Sequence, residues 1–369
     1  MKILLLATNH KSLAVKMMVR SLKKQGAEYD ILNPSQLFLM ISNHSNGRNQ
    51  VFDDYTGSTI KKVDLQQYHI VIPRIGKDVD FSCEVLKYLE EVFGMKTLQS
   101  SEAISNAYSK IRTSILLRAK GLRTPKTIYV NRLKNVDVVL KKLSKDQKFV
   151  IKLDKGSKGK QVSIVSGIAE TKSVLDTLES MNQQLIIQEY IDSKGSDIRA
   201  IIVGDEVVAA YKRQSTGKEL RANISTGGEG QKVVLTQEEK DFCVECAKAV
   251  GLEFAGVDFI KSSDGTYYCI EVNHCPGMNV QKYSHVSIMD QVISLALTKA
   301  KEPIPLACTK ENISEFQKAF NATFNNPEFI HLFKRLRGKV VQSQGGALHC
   351  VIKTKGDLQR LLISQLVIR

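Results

Sequence analysis

The sequence predicts an α/β (α+β) protein that opens with a small βαβ unit. An apolar strand over 2–7 precedes a helical spacing of apolar residues over 12–25, which ends at Gly26, and a second strand follows over 29–32. Two strands joined by a helix predict a parallel sheet with helices on its faces. Beyond about residue 126, short strand and helix patterns continue in mixed order and include two hairpin signals.

The rest of the N-terminal region contains one more apolar strand and a polar connection. Residues 69–73 (HIVIP) are predicted as a third buried strand. Residues 43–58 are polar and rich in Gly and Asn, so they are interpreted as a loop that could contain a short hairpin. Together these elements predict a domain over 1–98.

The middle of the chain predicts a second domain over 99–300, with subdomains over 99–187 and 188–300. It begins with one helix over 99–123 that ends at Gly121. The elements that follow are TIYV, a helix over 136–145, FVIKL, QVSIV, a helix over 170–181, LIIQEYI, DIRAIIVG, EVVAAYKR, a loop over 215–231, a helix over 236–250, FAGVDFIK and YYCIEVN.

Residues 301–369 are predicted to be a separate basic extension. They contain 11 Lys and Arg against 5 Asp and Glu. The stretches FKRLRGKVVQ and HCVIKTKGDLQRLL could form small strands and a helix, but no motif in them indicates a chemistry.

The composition excludes several classes of protein. No apolar run reaches the roughly 18–20 residues that a membrane span needs, and no small-residue cleavage site follows the N-terminal strand. The seven Cys are odd in number and irregularly spaced, which argues for reduced thiols. Cys243 and Cys246 have CxxC spacing, but they lie in an amphipathic helical pattern and are interpreted as core residues. A cytoplasmic location is expected.

The chain has a formal net charge of +15. Such an excess favours acidic partners, including nucleotide phosphates, nucleic acid and acidic peptides. The sequence has no zinc finger, no RNA-binding signature and no Trp, so nucleic acid is the disfavoured partner.

The stretch CIEVNHCPGM over 269–278 admits a magnesium or a zinc interpretation. Glu271 and Asn273 are two apart, so their side chains leave one face of a strand, and an antiparallel partner can place Asp258 opposite them. Hard oxygen donors on one face suit Mg²⁺. Zinc prefers about four nitrogen and sulfur ligands, and the adjacent His274 and Cys275 leave a strand on opposite faces. The magnesium interpretation is favoured.

A lysine and a glycine loop predict an anion site. Lys152 lies in the otherwise apolar strand FVIKL, where an isolated ammonium is costly. The next residues include Gly156, Ser157 and Gly159, whose backbone N–H groups could approach a phosphate. A solvated basic turn is the alternative for this loop.

Three further positions are candidates for nucleotide or substrate contacts. Glu189 closes an apolar strand and could hold a ribose hydroxyl, or it could be a surface charge. Arg199 and Arg221 lie on or beside strands, with Asn223 two residues later, and arginine prefers carboxylate or phosphate partners. Surface salt bridges are the alternative for both arginines.

The order of these motifs resembles the ATP-grasp fold, and most closely its RimK-like branch, the ribosomal-protein-modifying glutamate ligases and their relatives. The resemblance covers about residues 1–300. It rests on VIPRIG at 71–76, RTPKT at 123–127, QEYI at 188–191, SDIRAIIVGDEVVAAYKR over 196–213, LRANISTGGE at 220–229, AGVDFI at 255–260 and IEVNHCPGM at 270–278.

The resemblance implies roles for individual residues. Lys110 and Lys152 match the two ATP lysines of the family, and the segment Gln188, Glu189, Tyr190 and Ile191 matches the hinge that holds adenine and ribose. Asp197 and Arg199 match the motif that lines the nucleotide and acceptor pocket. Arg221 and Asn223 match the pair near the transferred phosphate. Asp258, Glu271 and Asn273 match the ligands of two Mg²⁺ or Mn²⁺ ions.

The chemistry implied by the resemblance is ligation of a carboxylate to an amine through an acylphosphate, with ATP as the energy source. Glutamate is the expected amino acid, and the expected acceptor is a peptide, a protein C-terminus or a small carboxylate. Alternatives are cross-linking of a precursor peptide, extension of a biosynthetic intermediate, and a non-enzymatic ATP-binding regulator. The resemblance also implies a homo-oligomer.

The chain departs from the family pattern in two places. Gln161 replaces a third glycine of the phosphate loop, and Lys158 and Lys160 stand where neutral residues are common. His274 and Cys275 replace small residues before Pro276. These changes put the phosphate contacts of the loop and the shape of the pocket wall in question.

Overall fold

The computed structural model describes residues 1–42, 50–54, 60–130, 135–155, 162–179, 184–214, 229–284, 286–302, 340–342 and 349–351. The chain divides into two compact units, residues 1–302 and 303–369. In the second unit the described residues form one antiparallel pair, β16 (Val340–Gln342) with β17 (His349–Val351).

The first unit begins with the predicted parallel sheet. Strands β1 (Lys2–Ala7), β2 (Glu28–Leu32) and β6 (Ile70–Arg74) pair in the order β2-β1-β6, and α1 (Leu13–Lys24) connects the first two. Side chains of β1 from Ile3 to Ala7 are fully buried, as expected for a parallel strand that is covered on both faces. The βαβ prediction is confirmed.

Three strands between Leu37 and Lys62 form a small antiparallel sheet, of which the sequence predicts only that 43–58 could contain a short hairpin. Its strands are β3 (Leu37–Met40), β4 (Gln50–Asp54) and β5 (Ile60–Lys62). β4 lies inside the stretch 43–58, and Val51, which is buried in the N-terminal core, anchors it there. Helix α2 (Val79–Glu91) then follows β6.

The prediction of one helix over 99–123 is wrong, because the segment forms two helices. These are α3 (Ser101–Tyr108) and α4 (Lys110–Ala119). Ser109 between them is extended, with φ −89° and ψ 116°, and its side chain accepts a hydrogen bond from the backbone N–H of Arg112. Asp154 accepts from the backbone N–H of Ile111 at 2.9 Å and from the Ser109 hydroxyl. A distant carboxylate therefore fixes the start of α4.

A four-stranded antiparallel sheet follows, in the order β7-β10-β8-β9. Its strands are β7 (Thr127–Val130), β8 (Lys148–Leu153), β9 (Val162–Ser166) and β10 (Leu185–Glu189), and its helices are α5 (Val136–Leu143) and α6 (Ile168–Glu179). Phe149, Ile151 and Ile187 face the helices and are buried, whereas Lys152 lies on the opposite face.

A second, five-stranded sheet has the order β13-β12-β11-β14-β15. Its elements are β11 (Ser196–Val203), β12 (Glu206–Gln214), β13 (Glu229–Lys232), α7 (Gln237–Ala249), β14 (Phe254–Lys261), β15 (Tyr267–Asn273) and α8 (Ile288–Lys301). The last two strands have the predicted bounds. β13 begins inside the predicted loop over 215–231, because it pairs with the end of β12.

The two faces of this sheet are covered differently. One face carries Ile198, Ala200 and Val257, which pack against α7. The other face carries Ile201 and Phe254, which pack against α8 and the N-terminal parallel sheet. That second face is apolar over only part of its length, and the remainder carries polar side chains.

Within the described residues, no helix combines the length and the apolarity that a membrane span requires. Cys243 and Cys246 lie on α7 and are fully buried. Burial raises the pKa of both thiols, which disfavours the thiolate that metals and oxidants require.

Helix α7 offers a test of local stability. Thr236 accepts from the backbone N–H of Glu239, and the Glu239 carboxylate accepts from the backbone N–H of Thr236 at 2.8 Å. Thr236→Ala should lower the free energy of unfolding by about 1 kcal/mol, because this cap is lost. Thr236→Ser, which keeps the acceptor, is the matched control. Equal stability of the two variants in denaturant titrations would contradict the assignment.

Candidate functional site

The polar part of the sheet face is created by an irregularity between β14 and β15. Asp258 pairs with Glu271 and Phe259 pairs with Cys269, so Ile270 is an extra residue in β15. A bulge of one residue re-aims the side chains that follow it. Here it places Glu271 opposite Asp258, on the face that also carries Asn273, which pairs with Gly256. The structure thus brings the three expected metal ligands together.

Asp258 is held by two arginines. The Arg199 guanidinium donates both Nε and Nη2 to the Asp258 carboxylate at 2.5 Å, and Arg213 Nη2 donates to Asp258 Oδ2 at 2.9 Å. Asp258 is only 2% exposed. Burial alone would raise the pKa of Asp258, but the two guanidinium groups outweigh it and hold that pKa below its usual range.

Asp197 completes this charge network. The Asp197 carboxylate accepts from Arg213 Nε at 2.5 Å and from Arg213 Nη2 at 2.7 Å. Burial raises the pKa of Asp197 to about 6, against the lowering effect of Arg213. Two carboxylates and two guanidinium groups therefore neutralise one another on one sheet face, which is the arrangement that buried charges require.

Asn273 and Glu271 lie at the edge of the network. With the Asn273 amide oxygen turned toward Arg199, that oxygen accepts from Arg199 Nη2 at 3.3 Å and the amide nitrogen donates to Glu271 Oε1 at 3.2 Å. This orientation satisfies both amide groups. The oxygen-bearing side chains of Asp258, Glu271 and Asn273 thus lie together on one sheet face.

The two expected ATP lysines are placed by the other sheet and by α4. Lys110 is the first residue of α4, and its ammonium donates to the backbone oxygen of Asp154 at 3.1 Å. Desolvation by the surrounding protein lowers the pKa of Lys152 to about 8, with the nearby Glu271 carboxylate opposing and Lys110 adding to the effect. Lys152 thus lies close enough to Glu271 and Asp258 for their charges to interact, and it is a cation for which an anionic ligand would be favourable.

The expected hinge connects the two sheets. Gln188 is 4% exposed and donates to the Thr127 hydroxyl at 3.0 Å. The Glu189 carboxylate accepts from the backbone N–H of Lys126 at 2.9 Å. Tyr190 and Ile191 lie in the connection from β10 to β11, and the Lys148 ammonium lies 3.9 Å from the centre of the Tyr190 ring.

Five expected site residues lie outside the described part of the chain. They are Gly156, Ser157 and Gly159 of the phosphate loop, and Arg221 and Asn223.

His274 and Cys275 lie where β15 ends against the N-terminal domain. His274 Nε2 is 2.9 Å from the backbone oxygen of Ile75, and its ring packs edge-on against Tyr108. Burial lowers the pKa of His274 to about 4, so the ring is neutral. Arg74 donates to the backbone oxygen of Pro276 at 3.0 Å. These contacts connect the end of β15 to the N-terminal parallel sheet.

The zinc interpretation gains no support from this region. Across the described ranges, no three His, Cys, Asp or Glu side chains form a metal-binding group. The residues expected to bind magnesium, Asp258, Glu271 and Asn273, supply two carboxylates and one amide.

Two residues of the site were missed by sequence reasoning. Arg213 lies in β12 opposite Asp197, and Asp154 caps α4. The alternation of EVVAAYKR places Arg213 on the face of Tyr211, so strand pairing with the DIR segment could have revealed it. Asp154 had no comparable signal, because its partners are 43 to 45 residues away.

Comparison with known proteins identifies the family of this chain. The sequence model of the RimK-like ATP-grasp domain matches residues 107–296, and that of the RimK pre-ATP-grasp domain matches residues 1–104. The chain belongs to the RimK-like ATP-grasp family. It is therefore an enzyme, an ATP-grasp ligase.

The sequence relatives include a protein of Legionella pneumophila (strain Corby) named probable alpha-L-glutamate ligase. It is 33% identical over 304 residues, which cover 82% of this chain and 97% of the relative. The resemblance to glutamate ligases that the motifs predicted is confirmed.

Two solved structures show the fold. The ATP-grasp ligase PsnB, in complex with a minimal precursor, Mg and ADP, has a TM-score of 0.59 and 19% identity, and the match covers 82% of this chain and 98% of that one. The RiPP-associated ATP-grasp ligase of Chryseobacterium gregarium, in complex with ADP and a leader and core peptide, has a TM-score of 0.61 and 18% identity, covering 82% and 97%. The expected ATP-grasp fold is confirmed.

The charge network yields a stability prediction. Arg213→Ala should lower the free energy of unfolding by about 3–5 kcal/mol, because Asp197 and Asp258 lose their shared cation while staying buried. In Arg213→Met/Asp197→Leu an apolar pair replaces the ion pair, so part of that loss should be recovered. Denaturant titrations of both variants measure the difference. A loss below about 1 kcal/mol in Arg213→Ala would contradict the network's structural role.

Proposed function

We propose that the protein is an ATP-dependent carboxylate–amine ligase that forms an amide through an acylphosphate. In this proposal it adds glutamate to the C-terminal carboxylate of a peptide, a protein or a small-molecule acceptor. The observation that carries the proposal is that two antiparallel sheets bring Lys152 within electrostatic range of the sheet face that carries Asp258, Glu271 and Asn273.

The residues present fit a divalent cation. Asp258 and Glu271 are paired on one sheet face, and the Asn273 amide lies beside them. Two carboxylates and an amide oxygen are hard donors of the kind that Mg²⁺ prefers, and Mn²⁺ accepts similar ligands. We propose that they hold two such ions. When bound, these ions neutralise charge on the β- and γ-phosphates of ATP.

The protein's own residues would act mainly by positioning and by charge. Lys110 and Lys152 would bind phosphate oxygens, and Gln188 to Ile191 would hold adenine and ribose. Arg199 donates two hydrogen bonds to Asp258, so that its carboxylate keeps one orientation. Arg221 and Asn223 are proposed to stabilise the transferred phosphoryl group and the tetrahedral intermediate, with Gly156, Ser157 and Gly159 covering the phosphates. Water exclusion protects an acylphosphate from hydrolysis.

The choice of glutamate rests on the Legionella relative, whose name is probable alpha-L-glutamate ligase. An excess of 53 basic over 38 acidic residues suits acidic substrates. We propose a cytoplasmic homo-oligomer as the working form.

The first test measures ADP release by the purified protein with Mg-ATP, an acceptor peptide and each amino acid in turn. We expect release that depends on glutamate, together with a mass increase of the acceptor by one or more glutamate residues. If no amino acid, with or without an acidic peptide, gives ADP release, the ligase proposal is rejected. Dehydration of a peptide without glutamate incorporation would indicate cross-linking instead.

A metal-ligand variant tests the site itself. Glu271→Gln keeps the shape of the side chain but removes its charge, so ADP formation should fall by about a thousandfold or more. Unchanged thermal unfolding would show that the fold is intact. Cys275→Ser, four residues later, is the matched control and should cost little activity. Activity that survives Glu271→Gln would show that the metal assignment is wrong.

The lowered pKa of Lys152 predicts a pH dependence of ATP binding. The ammonium is charged below about pH 8 and neutral above it, so its attraction for phosphate weakens as the pH rises. The KM for ATP should therefore increase between about pH 7 and pH 9. Lys152→Arg stays charged across this range and should flatten the profile. The same increase in both proteins would mean that another group is responsible.

A further inference from the structure

One stretch of the chain is strongly basic and has no acidic residue. Residues 103–136 contain eight Lys or Arg and no Asp or Glu, between Glu102 and Asp137. The stretch is 34 of 369 residues, yet its +8 is more than half of the net charge of +15. Such a local excess is larger than a uniform basic composition would produce.

The cations of this stretch lie on the surface. Five exposed ones are described by the structure, and we call them the basic track: Arg112, Arg118, Lys120, Arg123 and Lys126. Arg112 and Arg118 are six residues apart on α4, with Ile115 between them, which is 59% exposed. Positions three apart are neighbours on a helix, so these side chains share one solvent-facing side.

The charges of the track are largely uncompensated. Among the residues that the structure describes, Arg112, Arg118 and Lys120 form no ion pair. Arg123 donates to the Tyr267 backbone oxygen at 3.3 Å and stacks over the Tyr267 ring, which leaves its charge in place. Lys126 lies 3.7 Å from Glu189, with 72% of its side chain exposed. Such a surface favours an acidic partner.

The track begins at the proposed active site. α4 starts at Lys110, whose ammonium is bonded to the end of the strand that carries Lys152. Arg112 is close enough to Tyr129 to affect the pKa of its phenol. Ile186 of β10 lies opposite Tyr129 on one side and opposite Lys152 on the other, so all three lie on one face of the sheet. A helix of 10 residues is about 15 Å long, the length of four or five extended peptide residues.

We propose that the basic track binds an acidic, glutamate-bearing segment of the acceptor polypeptide. This inference rests on the proposed function. Each amide bond consumes one carboxylate of the acceptor and one amine of glutamate, and the added residue brings two carboxylates. The acceptor therefore gains one negative charge per addition, and its affinity for the track increases as the tail grows.

A polypeptide fits the track better than nucleic acid does. Single-stranded nucleic acid is usually held by aromatic side chains that alternate with cations and stack on the bases. Between Arg112 and Lys126 the sequence has no aromatic residue, and Ile115 is the large apolar side chain exposed there. Tyr129 beside Arg112 is 41% exposed, but one aromatic ring does not make the alternating series that base stacking uses. Acidic side chains need only the cations.

A charge-reversal pair tests the proposal by direct binding. Arg118→Glu/Lys120→Glu reverses two charges of the track, and Lys141→Glu/Lys142→Glu reverses two exposed charges of α5 as the matched control. The probe is a fluorescein-labelled octa-glutamate peptide, measured by anisotropy with the full chain. We expect binding about tenfold weaker in the track variant, near wild-type binding in the control, and a loss of binding at high salt. Equal weakening in both double variants would overturn the proposal.

A second probe and a kinetic measurement separate the remaining outcomes. An octa-thymidine oligonucleotide that binds the track more tightly than the peptide would overturn the choice of a polypeptide. In the ligation assay, the track variant should raise the KM for a peptide ending in six glutamates but not the KM for ATP. If the wild-type protein binds octa-glutamate at the track yet ligates nothing, the proposed function fails while the surface assignment stands.

Discussion

The site depends on one buried carboxylate, Asp258, and on the two guanidinium groups that surround it. At 2% exposure an isolated carboxylate would be protonated, and Arg199 and Arg213 keep it ionised. Arg213 would in turn be an excess cation without Asp197. Each of these charges is tolerated only in the presence of its neighbours, so strands β11, β12 and β14 must keep one register. The same register fixes the position of Asp258 within the proposed metal site.

The same sheet face serves two purposes along its length. Ile201 and Phe254 pack into the core shared with the N-terminal sheet, and Asp258 lies on the same face four residues beyond Phe254. Gly256 lies between these regions, and a Cβ there would come within 3.0 Å of the Pro276 side chain. Contacts from Arg74 and Ile75 to the 274–276 segment complete this junction. The N-terminal domain therefore supports the proposed metal site mechanically, in addition to any role in binding substrate.

The bounds of a strand could be predicted from the sequence wherever the apolar residues of that strand and its flanking turns formed a local pattern. β14 and β15 have the predicted bounds, since apolar alternation and the turn between them are local signals. The break at Ser109 was not predictable, because the start of α4 is held by Asp154, which follows β8 and is distant in sequence. β4 is only weakly marked, as part of a loop that could contain a short hairpin, because Val51 is its one fully buried residue. In the site, the two-residue spacing of Glu271 and Asn273 correctly indicated a shared face, but the partner of Arg213 is visible only once β11 and β12 are paired.

The extra residue at Ile270 also determines where this chain can change in length. Cys269 faces the α7 core and Glu271 faces the polar side of the sheet, although the two are only two residues apart. Deleting Ile270 would therefore leave a regular ladder in which Glu271 still lies opposite Asp258. Deleting Val272 instead would break the two-residue spacing of Glu271 and Asn273 and turn one of these side chains toward the α7 core. A change in length is thus compatible with the proposed site at position 270, but not between Glu271 and Asn273.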